Sequence, residues 1–226
     1  MNILAIETSS QACSAALLNH GQLLQRYQVA PRGHGDLLLN MIDEIMSEAD
    51  LKPAQLDAVA FGRGPGAFTG VRIATSVAQG IAFGADLPVA PISTLAALAQ
   101  AGHRLHGYQD MLCAIDARMG EVYWGAYQVR QGVVSLVAEE LVCQPEHVPL
   151  PGEGDWQGLG NGWDVYAEEL INRVPAQLAA NDAAMLPRAE DVAVLAQQAV
   201  EKGETVMAEQ ALPVYLRDKV AEKSRQ

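Results

Sequence analysis

The stretch GRGPGAFTG, residues 62–70, constrains the fold of this chain more than any other. It packs four glycines and a proline between the apolar run Ala58-Val59-Ala60-Phe61 and a long alanine-rich apolar segment, Val71 to Ala85. That order reads as strand, tight turn, helix. Loops of this shape often hold phosphate, because backbone N–H groups at a helix N-terminus face outward without partners. A Walker-type loop also needs a Gly-Lys pair followed by Ser or Thr, and the stretch has none. Gly62, Gly64 and Ala67 do fit the loose pattern G-x-G-x-x-[GA]. A dinucleotide fold then needs an acid at the end of the next strand, which here ends Pro91-Ile92-Ser93. Two readings remain. Gly62, Arg63, Gly64, Pro65, Gly66 and Gly70 form either an anion-binding nest or a tight strand-to-helix turn with its arginines in ion pairs. Arg72 sits near the start of the helix, where a cation opposes the helix dipole at a cost of roughly 0.3–1 kcal/mol. A compensating anion or carboxylate is expected beside it.

Three strand-like runs open the chain: Ile3–Ile6, Cys13–Leu18 and Leu23–Val29, with Asn19-His20-Gly21 as a hairpin turn. A helix is expected over 36–49, with Leu38, Met41, Ile42, Ile45 and Met46 on one face. The helix expected over 71–85 is apolar or small all round. Ile73, Val77 and Ile81 form one row, Gly70, Ala74, Ala78 and Ala82 a second, and Ser76, Gly80 and Gly84 a third. Such a helix is covered on most sides. Gly80 costs about 1 kcal/mol against alanine, which points to close approach by another element. The cover is either tight packing inside the domain or a subunit interface shared with the Met41/Met46 face. A strand over Pro88–Ile92 and a helix from Ser93 to about Ala101 follow, and the polar stretch 102–107 reads as a domain boundary.

Beyond it the order of elements repeats. Ala5-Ile6-Glu7 returns as Ala114-Ile115-Asp116, each followed by two strand-like runs separated by a glycine turn, at Gly21 and Gly132. A strand at Trp156–Leu159, a glycine turn, a helix over 163–173, a last helix over 189–202 and a tail at 213–217 complete the chain. The expected fold class is α/β: two related domains, 1–104 and 105–226, each a mixed sheet that opens with an antiparallel meander and is flanked by helices. The tail is expected to pack back on the first domain.

Charge and residue usage narrow the function. Fifteen Lys and Arg are scattered among twenty-seven Asp and Glu, for a net charge of −12. Nucleic-acid binding depends on clustered cations that displace counterions, so no direct tRNA binding by the isolated chain is expected. Cys13, Cys113 and Cys143 are odd in number and far apart, as in reduced cytosolic proteins. With no basic-then-apolar leader and no apolar run of about 18 residues, a cytoplasmic protein off the membrane is expected. His103 and His106 are three residues apart in a glycine-flanked stretch that reads as a solvated linker, and no histidine pair has metal-binding H-x-x-x-H spacing.

GRGPGAFTGVRIA, AIETSS at 5–10, IDARMGEVYWGAY at 115–127 and PVYLR at 213–217 together resemble the bacterial TsaB (YeaZ) family. The resemblance runs from Asn2 to about Arg217. It implies the actin/Hsp70/sugar-kinase (ASKHA) fold and a part in threonylcarbamoyladenosine modification of tRNA beside the anticodon. It further implies that the chain is a non-catalytic partner of TsaD, the paralogue that transfers the threonylcarbamoyl group, acting with the ATPase TsaE. Alone, a second copy of the chain is the expected partner. The interface candidates are Leu38, Met41, Ile42, Ile45, Met46, Arg72, Ile73, Ala74, Val77, Ala78 and Ile81. TsaD-like enzymes carry H-x-x-x-H where an ungapped reading places Thr94 and Leu98, so no metal is expected. Kinases of the fold carry D-x-G-[TS] after the first strand. Here Glu7-Thr8-Ser9-Ser10 keeps an acid and hydroxyls without the glycine. Glu7, Thr8 and Asp116 are the cofactor candidates. No cofactor is expected on the chain alone, and ATP only at a complex interface. The alternative is an active ATP-dependent phosphotransferase using Glu7, Asp116 and the glycine turns.

Overall fold

The computed structural model describes residues 1–30, 32–174 and 178–217. The chain opens with β1 (Asn2–Glu7), β2 (Ala12–Asn19) and β3 (Gln22–Val29), an antiparallel meander. His20 and Gly21 take positive φ (48° and 85°) in the β2–β3 turn, the backbone that matches the twist of paired strands. Next come α1 (His34–Glu48), β4 (Ala58–Gly62), the glycine loop, α2 (Phe68–Ala85) and β5 (Val89–Ile92). β4 pairs in parallel with β1, with Ile6 opposite Phe61, and β5 with β4. The five strands lie in the order β3-β2-β1-β4-β5.

α3 (Thr94–His106) leads to β6 (Asp110–Arg118), β7 (Glu121–Arg130), β8 (Val133–Leu136) and β9 (Leu141–Cys143). β10 (Trp156–Leu159), α4 (Gly162–Val165), α5 (Ala167–Arg173), β11 (Leu178–Asp182) and α6 (Ala189–Glu201) follow. The second sheet runs β11-β10-β6-β7-β8, with β9 also on β7. From edge to edge, β8-β7-β6-β10-β11 repeats β3-β2-β1-β4-β5. The turn at Gln131 and Gly132 (φ 54° and 80°) repeats the one at His20 and Gly21. The duplication expected from the sequence is present, with β9 as an insertion. This is a duplicated α/β architecture.

Helices cover both faces of each sheet. On one face of the first, Leu4, Ile6, Val59 and Phe61 pack against Leu38, Ile45, Ala74 and Ala78 of α1 and α2. On the other, Ile3, Ala5, Ala58 and Ala60 pack against Val192, Ala193 and Ala196 of α6. In the second sheet Met111 and Cys113 face Leu95, Leu98 and Ala99 of α3, while Leu112, Ala114 and Trp124 face Trp163 and Leu170. Burial of each large side chain contributes roughly 1.5–3 kcal/mol.

Several boundaries differ from the sequence reading. α3 does not stop at Ala101 but continues through 102–106, so the 104/105 domain boundary falls inside a helix. Position 102 of this helix holds glycine, and a Cβ there would come within 2.6 Å of Leu159 Cδ1 in the second domain. The glycine marks helix-to-sheet contact, and the polar residues around it are the solvent face of the last turn. α6 packs on the first sheet although it follows the second in sequence. The expected helix over 163–173 breaks at Tyr166 into α4 and α5, and β9 and β11 were not expected. The last residues of the 105–226 domain, 218–226, lie outside the described residues. Among the described residues no helix is long and apolar enough to cross a membrane.

Candidate functional site

The glycine loop is filled by the protein itself. A Cβ on Gly62 would overlap the Glu7 carboxylate, one on Gly70 the Thr8 carbonyl, and one on Gly66 would lie 2.6 Å from the Ser9 carbonyl oxygen. The loop is glycine-rich because the segment after β1 lies directly on it. Two of its N–H groups are spent within the chain: Ala67 N–H donates to Ser9 O (2.7 Å) and Arg63 N–H to Ile92 O (2.8 Å). Gly64 O accepts from Thr94 N–H (3.0 Å), and Thr8 Oγ1 donates to Gly70 O (2.7 Å). Of the two readings of GRGPGAFTG, the structure favours the packed turn.

Glu7 is sealed in this contact. It is fully buried, and Oε1 accepts the Ser9 N–H at 2.6 Å. Oε2 has no hydrogen-bond partner among the described residues. Burial raises its pKa, opposed chiefly by hydrogen bonding from Ser9. Cys13 lies behind the same strand, and burial together with the Glu7 charge pushes its thiol up to about 11. Burial likewise pushes Cys143 up to about 11 and holds Cys113 well above the ordinary thiol value. None is an activated thiolate.

Between the domains lies a cleft of about 1040 Å³, lined among others by Ser9, Ser10, Gly66, Asp116, Asn161 and Arg217. Asp116 stands at its wall on the second side with both oxygens engaged. Oδ2 pairs with Arg118 at 2.9 Å, and Oδ1 accepts from Tyr166 OH (3.1 Å) and Arg118 N–H (2.8 Å). The Asp116 N–H donates to Asn161 Oδ1 at 3.0 Å. Thr94 and Leu98, the positions matched to the TsaD-like histidines, are both fully buried. Thr94 Oγ1 donates to Ser9 Oγ at 3.1 Å, and Leu98 sits in the apolar core. His103 and His106 lie on the last turn of α3 and not on a linker; His103 Nδ1 meets Tyr108 O at 3.0 Å, and His106 stacks on the Tyr108 ring.

The interface candidates divide by face. Leu38, Met41, Ile42, Ile45, Met46, Ala74 and Ala78 are core residues of the first domain. Their apolar pattern is explained by the sheet beneath them. Ile73, Val77 and Ile81 are half-buried at the edge of that core. The exposed face of α2 carries Phe68, Arg72, Ser76, Gly80, Phe83 and Gly84. Phe83 is 78% exposed. Nothing lies within 4 Å of where a Cβ on Gly80 or Gly84 would be. No element among the described residues therefore accounts for the glycine at 80.

The arginines resolve differently from each other. Arg63 pairs with Glu140 at 3.7 Å, as expected of a carboxylate partner. Arg72 does not pair with a carboxylate among the described residues. Its guanidinium lies 3.7 Å over the Phe68 ring, and Nε donates to Tyr215 OH at 3.0 Å. Aromatic faces supply the compensation that an anion was expected to give.

Glu140 escaped the sequence reading. It accepts from Ser93 Oγ and Tyr127 OH while pairing with Arg63. It thus ties the second domain to the glycine loop and to the N-cap of α3, where Ser93 Oγ also accepts from Leu95 and Ala96 N–H. Ser93 was legible as a capping residue before an apolar run. Glu140 carries no local signal, because its partners come from three other segments.

The family model for TsaD, tRNA N6-adenosine threonylcarbamoyltransferase, matches residues 26–225. The TsaB tRNA threonylcarbamoyladenosine biosynthesis protein of Escherichia coli is 40% identical over 227 residues, covering 99% of this chain and 97% of that one. The TsaB protein of Haemophilus influenzae is 42% identical over 234 residues, covering 99% and 96%. Among solved structures, YeaZ from Pseudomonas aeruginosa superposes with a TM-score of 0.89 at 50% identity, over 95% of this chain and 99% of that one. A second, described as an uncharacterized protein with similarity to peptidase YEAZ from Pseudomonas aeruginosa, superposes with a TM-score of 0.90 at 49% identity, over 96% and 99%.

Proposed function

This chain belongs to the TsaB (YeaZ) family, and from that premise we propose that it is a non-catalytic subunit required for threonylcarbamoyladenosine modification of tRNA beside the anticodon. It acts by binding and ordering TsaD and by helping to recruit TsaE. The observation that carries the reading is the state of the two acids at the ends of β1 and β6. Glu7 is sealed under Gly62, and Asp116 has both oxygens taken by Arg118 and Tyr166. Neither offers the cleft a free carboxylate for general-base or metal-holding work. The positions matched to the TsaD-like metal ligands hold a buried threonine and a core leucine.

The docking surface in this proposal is the exposed face of α2: Phe68, Arg72, Ser76, Gly80, Phe83 and Gly84. Small residues let a partner helix come close, and an exposed aromatic supplies an anchor. In the absence of TsaD a second copy occupies the same face. Reconstituted modification with TsaD and TsaE should fall to background when this chain is left out, while the chain alone makes no product. Light scattering of this chain mixed with TsaD should report a joint mass at micromolar concentration. Persistently separate species overturn the reading.

The cleft itself favours a second reading, an ATP-dependent phosphotransferase, since Asp116 lines it opposite Ser9, Ser10 and Gly66. Calorimetry with Mg-ATP on the isolated chain separates the two. Micromolar binding, with turnover that Asp116→Asn abolishes, supports the kinase reading.

A further inference from the structure

We propose that residues 211–217 form a strap across the mouth of the interdomain cleft, and that Arg72 couples this strap to the exposed face of α2. The attachments to the first domain come in chain order. Gln79 Nε2 donates to Ala211 O at 2.9 Å, and Val214 N–H donates to Arg63 O at 2.8 Å. Tyr215 then places its hydroxyl on Arg72 Nε and its ring 5.8 Å from that of Phe68. The attachment to the second domain follows at once. Arg217 pairs with the Glu121 carboxylate, donates to Arg118 O at 3.2 Å and touches Met119 Sδ at 3.5 Å. All three of these residues belong to the β6–β7 hairpin or its turn. Tyr215 and Arg217 both line the cleft. The chain therefore steps from one domain to the other within a reach of about 7 Å, over the opening itself.

Arg72 is the node. Its guanidinium is held between Phe68, on the exposed face of α2, and Tyr215, on the strap. A partner surface bearing a carboxylate competes for that guanidinium with a neutral hydroxyl and two ring faces, and a charge-assisted bond is the stronger contact. Engaging Arg72 on α2 then frees Tyr215 and loosens the strap. By linkage, a tightened strap presents Arg72 less readily to the partner. This consequence for a partner rests on the docking face proposed above. The strap and its coupling rest on the contacts within the chain.

Hydrogen–deuterium exchange on the full chain, with no partner present, tests the coupling separately from the docking face. Arg217→Ala should speed exchange in the hairpin at 118–123 and in 66–72. Arg72→Ala, on α2 and in contact with the strap through Tyr215, should speed exchange at 118–123 by about threefold or more, as expected when a local opening becomes easier. Tyr215→Phe, which keeps the ring and loses only the hydroxyl, should give the same change in smaller measure. Phe83→Ala, on the same exposed face but without a strap contact, should leave 118–123 as in the parent. An Arg72→Ala effect confined to α2, or an equal effect from Phe83→Ala, overturns the coupling. An unchanged hairpin in Arg217→Ala overturns the strap.

Discussion

The two halves share a sheet order and an acid at the end of the first strand, yet they treat that acid in opposite ways. In the first half the carboxyl of Glu7 is enclosed, with one oxygen unpartnered against the α-carbon side of Gly62. In the second half Asp116 keeps its place at the cleft and is neutralised there by Arg118, with Tyr166 as a further donor. The difference begins in the connection after the strand that pairs in parallel with the first, β4 in one half and β10 in the other. GRGPGAFTG lies flat on the Glu7–Ser9 segment, whereas the glycines after β10 lie under Ala114, before the acid is reached. One backbone plan thus yields a sealed acid and a tethered acid. Topology alone does not preserve a site; the packing of one loop decides whether the acid faces solvent or protein.

The strongest challenge to this comparison is Gly70→Ala. Its Cβ meets the Thr8 backbone, which cannot swing away, so the expected loss is about 3 kcal/mol, read as a fall in the urea midpoint. Gly80→Ala on the same helix meets open space and should stabilise by up to about 1 kcal/mol. Equal effects at the two positions would break the view that the loop is built around the segment after β1.

The seam between the halves ranks next. Arg104 of α3 grips the fully buried Asp191 of α6 through Nε and Nη2 at 2.9 and 3.0 Å. Burial, opposed by Arg104, raises Asp191 from 3.8 to about 6. A raised carboxylate favours the protonated form in the fold, so its contribution is fully present below the unfolded value and is lost as pH rises through about 6. Arg104→Met leaves that charge without its partner. The expected loss is about 2 kcal/mol above that range, the partial exposure of Arg104 holding it below the value for a fully buried pair, and it should shrink at about pH 5. A pH-independent loss counts against Asp191 as the cause.

The acids themselves come third. Asp116→Asn removes a charge that Arg118 needs and should cost about 1 kcal/mol. Glu7→Gln replaces a carboxyl whose ionisation burial already opposes, and near neutrality it should cost less than Asp116→Asn. Because the Glu7 pKa is raised, its protonated form stabilises the fold at low pH and that contribution fades as pH rises through the folded value. Glu7→Gln should therefore lose less stability than the parent as pH rises above the ordinary carboxyl range. Matching slopes would place the Glu7 carboxyl in solvent contact. The smallest effect on stability belongs to Phe83→Ala, within about 0.5 kcal/mol, although the mass measured with TsaD should fall toward that of separate chains.

Much of this was legible along the chain. Strand alternation, the two positive-φ turns and the echo of Ala5-Ile6-Glu7 in Ala114-Ile115-Asp116 are local patterns, and local patterns determine which elements form and in what order. The same patterns misled wherever a residue answers to a distant neighbour. Gly102 reads as a linker until Leu159 is placed beside it. Ala74 and Ala78 read as an interface until the first sheet fills that side, and Arg72 reads as an ion-pair cation until Tyr215 arrives from the far end of the chain. The sequence by itself determined the duplicated α/β plan and the family, because periodicity, turn chemistry and ordered motifs are properties of neighbouring residues. Only the tertiary structure decided which acid is sealed, which face of α2 is free and where the tail crosses, because each depends on atoms brought together from segments that no spacing rule connects.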